Sequence, residues 1–177
     1  MNTRLILAVI VTTMFAACER PAVDFKAKGA GLLAPFKAEL QGALKQGMEA
    51  GPVAAISVCS VEAPGISARL SVDGVLMGRS SHKLRNYRNA TPEWLAPVLR
   101  GYADGSTNLE PLALEIEEGR MGYVEPIIVQ PMCLACHGES LAPDIAAKIS
   151  EAYPDDQATG FKAGDFRGVF WVEFPEY

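Results

Sequence analysis

Residues 112–130, "LALEIEEGRMGYVEPIIVQ", decide the fold of this 177-residue chain. Two arms rich in apolar side chains, "LALEIEE" and "MGYVEPIIVQ", flank a glycine at "EEGR", the pattern of a β-hairpin. Pro126 has no N–H to give to a ladder, so it places the second arm on an edge or interrupts it. Downstream, "DIAAKISEAY" (144–153) predicts a short helix and "DFRGVFWVEF" (165–174) a closing strand rich in aromatic and β-branched residues. "GFKAGDFRG" (160–168) holds three glycines, which permit tight turns; it reads as the connector from that helix to that strand.

Working back from the hairpin, Thr91 reads as an N-cap with Pro92 at the first helical position, and Leu95, Val98, Leu99 and Tyr102 share one helical face. Residues 66–80, "ISARLSVDGVLMGRS", predict two strands about Asp73-Gly74. From Gly29 to Ala50, Leu33, Phe36, Leu40, Leu44 and Met48 recur at spacings of three and four, a core-facing helix that stops at Gly51-Pro52. "VAAISVCSVEAP" (53–64) continues with Val53, Ile56 and Cys59 on one face, and Pro64 ends it. Strands broken by helices at both ends, without βαβ alternation, predict an α+β domain on an antiparallel sheet.

Composition is that of one globular domain: 49% hydrophobic and 21% charged. The first residues read as an export signal, with a basic "MNTR", an apolar "LILAVIVTTMF" and the small-residue "FAAC". "FAAC" is similar to a bacterial lipobox, with Phe15 where Leu is usual, so Cys18 is expected to carry lipid. Glu19 rather than aspartate after it favours the outer membrane over the inner, facing the periplasm. The expected organisation is a signal over 1–17, a tether over 18–28 and one domain over 29–177. The chain carries a formal net charge of −5, and loss of 1–17 removes one basic and no acidic residue. No basic stripe remains to steer nucleic acid.

With Cys18 acylated, Cys59, Cys133 and Cys136 remain, an odd number that argues against a simple disulfide framework. Cys133, Cys136 and His137 form C-x-x-C-H, the attachment signature of haem c: two thiols add to the porphyrin vinyl groups and the imidazole takes the iron. A zinc site would need four ligands, and only Cys59 and His82 could complete one. A thioredoxin-like pair would sit in a βαβ setting and has no use for the trailing histidine. The sixth iron position is open to Cys59, His82, Met77 or Met121, or is vacant. Met132 abuts the attachment cysteine, and Met48 reads as helix packing.

"AISVCSVEAPGIS", "MGRSSHKLRNYRNATPEW", "CLACHG" and "YPDDQATGFKAGDFRGVFWVEF", in this order, resemble a family of small exported c-type haem proteins, a domain of unknown function with a PAS-like fold. The resemblance spans most of residues 29–174. It implies a PAS-like antiparallel sheet flanked by helices, and haem iron held by His137 with Cys59 opposite. That leaves His82 without a ligand role. The family's "G-R-T-S" stands here as Gly78, Arg79, Ser80 and Ser81. Arg79, Arg85 and Arg88 gain a reading as partners of haem propionates, since guanidinium forks match carboxylates; otherwise they are a solvated loop.

Three functions follow as expectations. A histidine and thiolate pair on iron suits a periplasmic redox or small-ligand sensor whose thiolate detaches, signalling to a separate protein partner. A membrane-tethered electron-transfer lipoprotein is the alternative. An enzyme such as a peroxidase ranks last, because the sequence offers no acid/base constellation beyond His82.

Overall fold

Asp24 opens the fold: its carboxylate accepts the Ala27 amide at 2.9 Å and caps α1, Phe25–Glu49, in the computed structural model, which describes residues 23–176. The helix thus begins four residues before the expected domain start at 29. The expected signal segment and Cys18 lie outside the described residues. Along α1, Leu33, Phe36 and Leu40 are buried, whereas Leu44 and Met48 are half-buried.

Four strands, β1 (Leu76–Ser80), β2 (Leu112–Glu117), β3 (Arg120–Ile128) and β4 (Phe166–Glu173), form one antiparallel sheet in the order β1-β4-β3-β2. The β2–β3 hairpin turns where the sequence places it, with Gly119 at φ 74°. Beyond Val124, β3 has left its β2 partner and pairs with β4 alone. Pro126 lies in that locally unpaired stretch, where its missing N–H costs no ladder bond.

Helices cover both faces of the sheet. On one, Leu33 and Phe36 of α1 pack with Ile66, Met77, Tyr123, Val172 and Phe174. On the other, Leu95, Leu99 and Tyr102, from a 3-10 turn (Glu93–Leu95) and α4 (Ala96–Ala103), cover Val124 and Val169. Each such side chain contributes roughly 1.5–3 kcal/mol by leaving water. The result is the expected α+β class, with a sheet order consistent with a PAS-like arrangement.

Three local expectations are corrected. Residues 66–70 are helical, not a strand, because Ile66 and Leu70, four apart, turn one helical face to the first core. The Asp73-Gly74 turn exists, at φ 53° and 77°, but it leads from a helix into β1, which pairs with β4. Pro64 does not end its helix: α2 (Pro52–Ser57) runs through a π-turn, Val58–Glu62, into α3 (Ala63–Leu70). The Ala63 amide reaches back to Val58 O, and this widened turn accommodates the proline ring. Thr91 is no N-cap; its hydroxyl pairs with Ser80 Oγ at 2.7 Å, and Pro92 is extended.

Candidate cofactor site

The C-x-x-C-H motif folds tightly, as a 3-10 turn, Pro131–Cys133, running into α5, Leu134–His137. Two-residue spacing on such a turn sets Cys133 and Cys136 three positions apart, one helical step, with His137 next in line. The segment after α6 (Pro143–Ala152) is sewn onto it: Phe161 donates its amide to His137 O and Gly160 to Gly138 O, each at 3.0 Å. "GFKAGDFRG" therefore does more than connect helix to strand. It braces the motif.

These elements enclose a cavity of ≈ 330 Å³. Cys133, Cys136 and His137 line one side; Leu44 and Met48 of α1, Ile56 and Cys59, and the sheet residues Arg79, Ile127 and Phe170 line the rest. Arg79, Phe170 and Glu125 are directly paired across β1, β4 and β3, so they emerge on the same face of the sheet. Cys59 sits inside the π-turn. Such turns re-aim side chains by inserting one residue into the helical repeat, and they recur at functional sites. The thiol thus joins the cavity instead of the apolar seam carrying Ile66.

The electrostatics are those of a cofactor cradle. Burial, helped by the Arg167 and Arg85 charges, pulls the His137 imidazole down to about 3, so it is neutral at ordinary pH. Its Nδ1 donates to Ala158 O at 2.6 Å, leaving the Nε2 lone pair free for a metal. Burial pushes the Cys136 thiol up. Arg79 makes no hydrogen bond or ion pair within the described residues, and burial lowers its pKa against the opposing pull of Cys59.

The other arginines divide. Arg85 is occupied: it grips Asp156 with two bonds of 3.0 Å and donates to Cys136 O at 2.7 Å. Arg88 lies outside the cavity, over the Tyr87 ring, in an adjoining open groove of ≈ 620 Å³. Arg167, which no motif marks, lines the cavity and donates to Ser81 Oγ at 2.7 Å and Lys83 O at 3.2 Å. Its signal in the sequence is the one cation of a strand that, Glu173 aside, is otherwise apolar, aromatic or glycine. Next to it Gly168 has φ 152°, and a Cβ there would clash with Ser80 O, so only glycine lets the 80–81 backbone cross so closely.

The remaining ligand candidates are placed elsewhere. Met77 is buried in the first core, Met121 packs against it, and His82 is exposed, stacked on Phe166 at 5.4 Å. Met48, read as packing, and the exposed Met132 do line the cavity. Among the described residues no group of three His, Cys, Asp or Glu could hold a metal ion, which a zinc cage would require. A porphyrin iron needs only two protein ligands, and the donor set here, two thiols at C-x-x-C spacing, a neutral imidazole, a further thiol and an unpaired guanidinium, fits that group.

Fold and site together define a single α+β domain built around a thiol- and imidazole-lined cavity. The Tll0287-like family model matches residues 8–175, and the chain belongs to that family. The crystal structure of the cyanobacterial heme-protein Tll0287 is similar in fold, with a TM-score of 0.54 at 24% identity over 79% of this chain and 94% of that one. No curated protein matches the chain.

Proposed function

We propose that this chain is a mono-haem protein of c type, with haem stitched to Cys133 and Cys136 and its iron held by His137 and Cys59. One observation carries the reading: the fold gathers those four side chains, from segments more than 70 residues apart, around one cavity. Membership of a family whose named structure is a heme-protein supports it. Arg79 and Arg167, rather than Arg88, offer guanidinium groups to the propionates. The haem would supply a one-electron couple and a metal centre for small ligands.

Within that reading, the role is redox or small-ligand sensing, with the Cys59 thiolate as the displaceable ligand and a separate protein partner receiving the signal. Cys59 lies on a π-turn, a local irregularity of the kind that recurs at functional sites, which supports a ligand role for its thiol. Simple electron transfer is the second reading, favoured if both axial positions stay filled. Catalysis ranks last. We place the protein in the periplasm, tethered through lipid on Cys18, with the outer membrane favoured.

The test is purification from cells able to mature cytochromes. Intact mass should show one added porphyrin, and colourless protein without that gain would end the haem reading. Carbon monoxide binding by the reduced protein supports sensing; refusal at every potential supports the carrier. Mass spectrometry of the mature N-terminus decides acylation.

A further inference from the structure

Behind His137 stands a closed ring of polar groups that the haem reading leaves unused. Ala158 O accepts two donors, His137 Nδ1 at 2.6 Å and Arg85 Nη2 at 3.2 Å. Asp156 holds Arg85 through both carboxylate oxygens, and its Oδ1 also accepts the Ala158 amide at 2.9 Å. Both side chains of the pair are only 9% exposed. A pair so withdrawn from water pays heavily in lost hydration, and replacing such pairs with apolar groups is often neutral, so stability alone is a weak reason for its presence.

We propose that Arg85 and Asp156 are positioning residues that set the electron density on His137, and through it the reduction potential of the bound haem, by way of the shared acceptor Ala158 O. The inference rests on the haem reading above.

A carbonyl that binds a cationic donor has less electron density for a second one. Arg85 therefore restrains the pull of Ala158 O on the imidazole proton, keeping His137 a neutral rather than an anion-like donor. Outer hydrogen bonds of this kind tune ligand basicity. Removal of the guanidinium frees the carbonyl to draw on the imidazole proton and also deletes a nearby positive charge. Both changes favour the ferric state, so the potential falls. Asp156 acts in the opposite sense. An asparagine there keeps an oxygen for the Ala158 amide but deletes a negative charge, so the potential rises. A purely mechanical staple would loosen His137 in the same way whichever half were lost.

The experiment is mediated potentiometric titration of the holoprotein at fixed pH, wild type against Arg85→Gln, Arg85→Lys and Asp156→Asn, with porphyrin content checked by mass. Imidazole N–H character is read in parallel by nitrogen NMR. The expected results are a negative shift for Arg85→Gln, a positive shift for Asp156→Asn, and a value between wild type and Arg85→Gln for Arg85→Lys, which keeps charge but loses the fork. Shifts of the same sign in both halves, or none in chains carrying one porphyrin each, would overturn the proposal. Should Arg85→Gln fail to accumulate, Asp156→Asn decides: a potential unchanged or lowered sinks the idea. Wild-type protein without porphyrin overturns the haem reading beneath it, a different result from an unshifted potential.

Discussion

The sheet and the cavity share strands β1, β3 and β4, yet their side chains meet different fates. On the sheet Val124, Val169 and Val172 have no exposed surface, nor has Leu33 of the helix packed on it, and the Tyr102 hydroxyl of α4 finds Glu110 O at 2.6 Å. At the cavity, Cys59, Cys133, Cys136 and His137 are half-buried, a helix widens into a π-turn, and Arg79 lacks a partner within the described residues. Where side chains are tightly packed, with Trp171 Nε1 the one buried side-chain polar atom left without a partner among the described residues, the chain has stored its stability. Where groups are left over, it has stored binding capacity, as expected if site residues are drawn from the less stable part of a fold.

The largest way to break that contrast is Leu33→Ala. Leu33 has no exposed surface and lies in the first core, away from the cavity lining. Truncation should cost about 2–5 kcal/mol, hence roughly 4–20 °C in Tm for a domain of this size. Below the new Tm, the haem spectrum should be that of wild type. A spectral change in the folded variant would show that core and cavity are not separable.

Alkali probes both cores, one tyrosine in each, with a smaller largest effect per residue. Burial pushes the Tyr102 and Tyr123 phenols up to about 12, from about 10 in the unfolded chain. Because the folded value is the higher, the stability is whole below pH 10 and is lost as pH climbs through about 12. Each tyrosine should forfeit about 2–3 kcal/mol across that window. Denaturant melts at pH 8, 10 and 12 would read the slope, and Tyr102→Phe should shallow it; an unchanged slope contradicts the assignment.

This division also explains what could be read from sequence. The α1 stripe, the hairpin at Gly119 and the C-x-x-C-H motif are local patterns, legible because neighbours in the chain decide them. The helix over 66–70 reads as a strand in the sequence because Ile66 and Leu70 fit either period in so short a run. The π-turn was invisible, since Pro64 by rule stops a helix and only tertiary packing lets the helix widen around it. Arg85 reads in the sequence as a propionate partner, not as the partner of Asp156, because the two are 71 residues apart and no spacing rule joins them. Arg167 carries only a faint signal, a single cation in a mostly apolar strand, because its partners Ser81 and Lys83 lie more than 80 residues away.

Two sulfurs sharpen the comparison inside the cavity itself. Cys59 and Met48 both line it, one from the π-turn and one from the end of the α1 stripe. Cys59→Ala should cost only about 1–2 kcal/mol of stability. It should nonetheless move the ferric electron-resonance signal to high spin or to a new sixth ligand. Met48→Leu, close in volume, should cost less than about 1.5 kcal/mol and leave the spectrum alone. Spectra that respond to Met48 and ignore Cys59 would exchange their roles and remove the thiolate switch from the sensing reading.

Arg79 yields the smallest effect, and with the sign reversed. Its guanidinium is half-buried in the cavity lining, burial lowers its pKa, and within the described residues no carboxylate pairs with it. In protein made without haem, Arg79→Met replaces an unpaired, half-buried charge with an apolar chain of similar length, so stability should hold or rise, by up to about 1 kcal/mol. With haem attached the order should invert, because a propionate paired to Arg79 turns the same charge from a cost into a contact. Melting of the apo and holo forms of both chains gives a four-cornered cycle whose coupling energy isolates that contact. A cycle that closes at zero would leave Arg79 without a haem partner and shift the propionate reading to Arg167 alone.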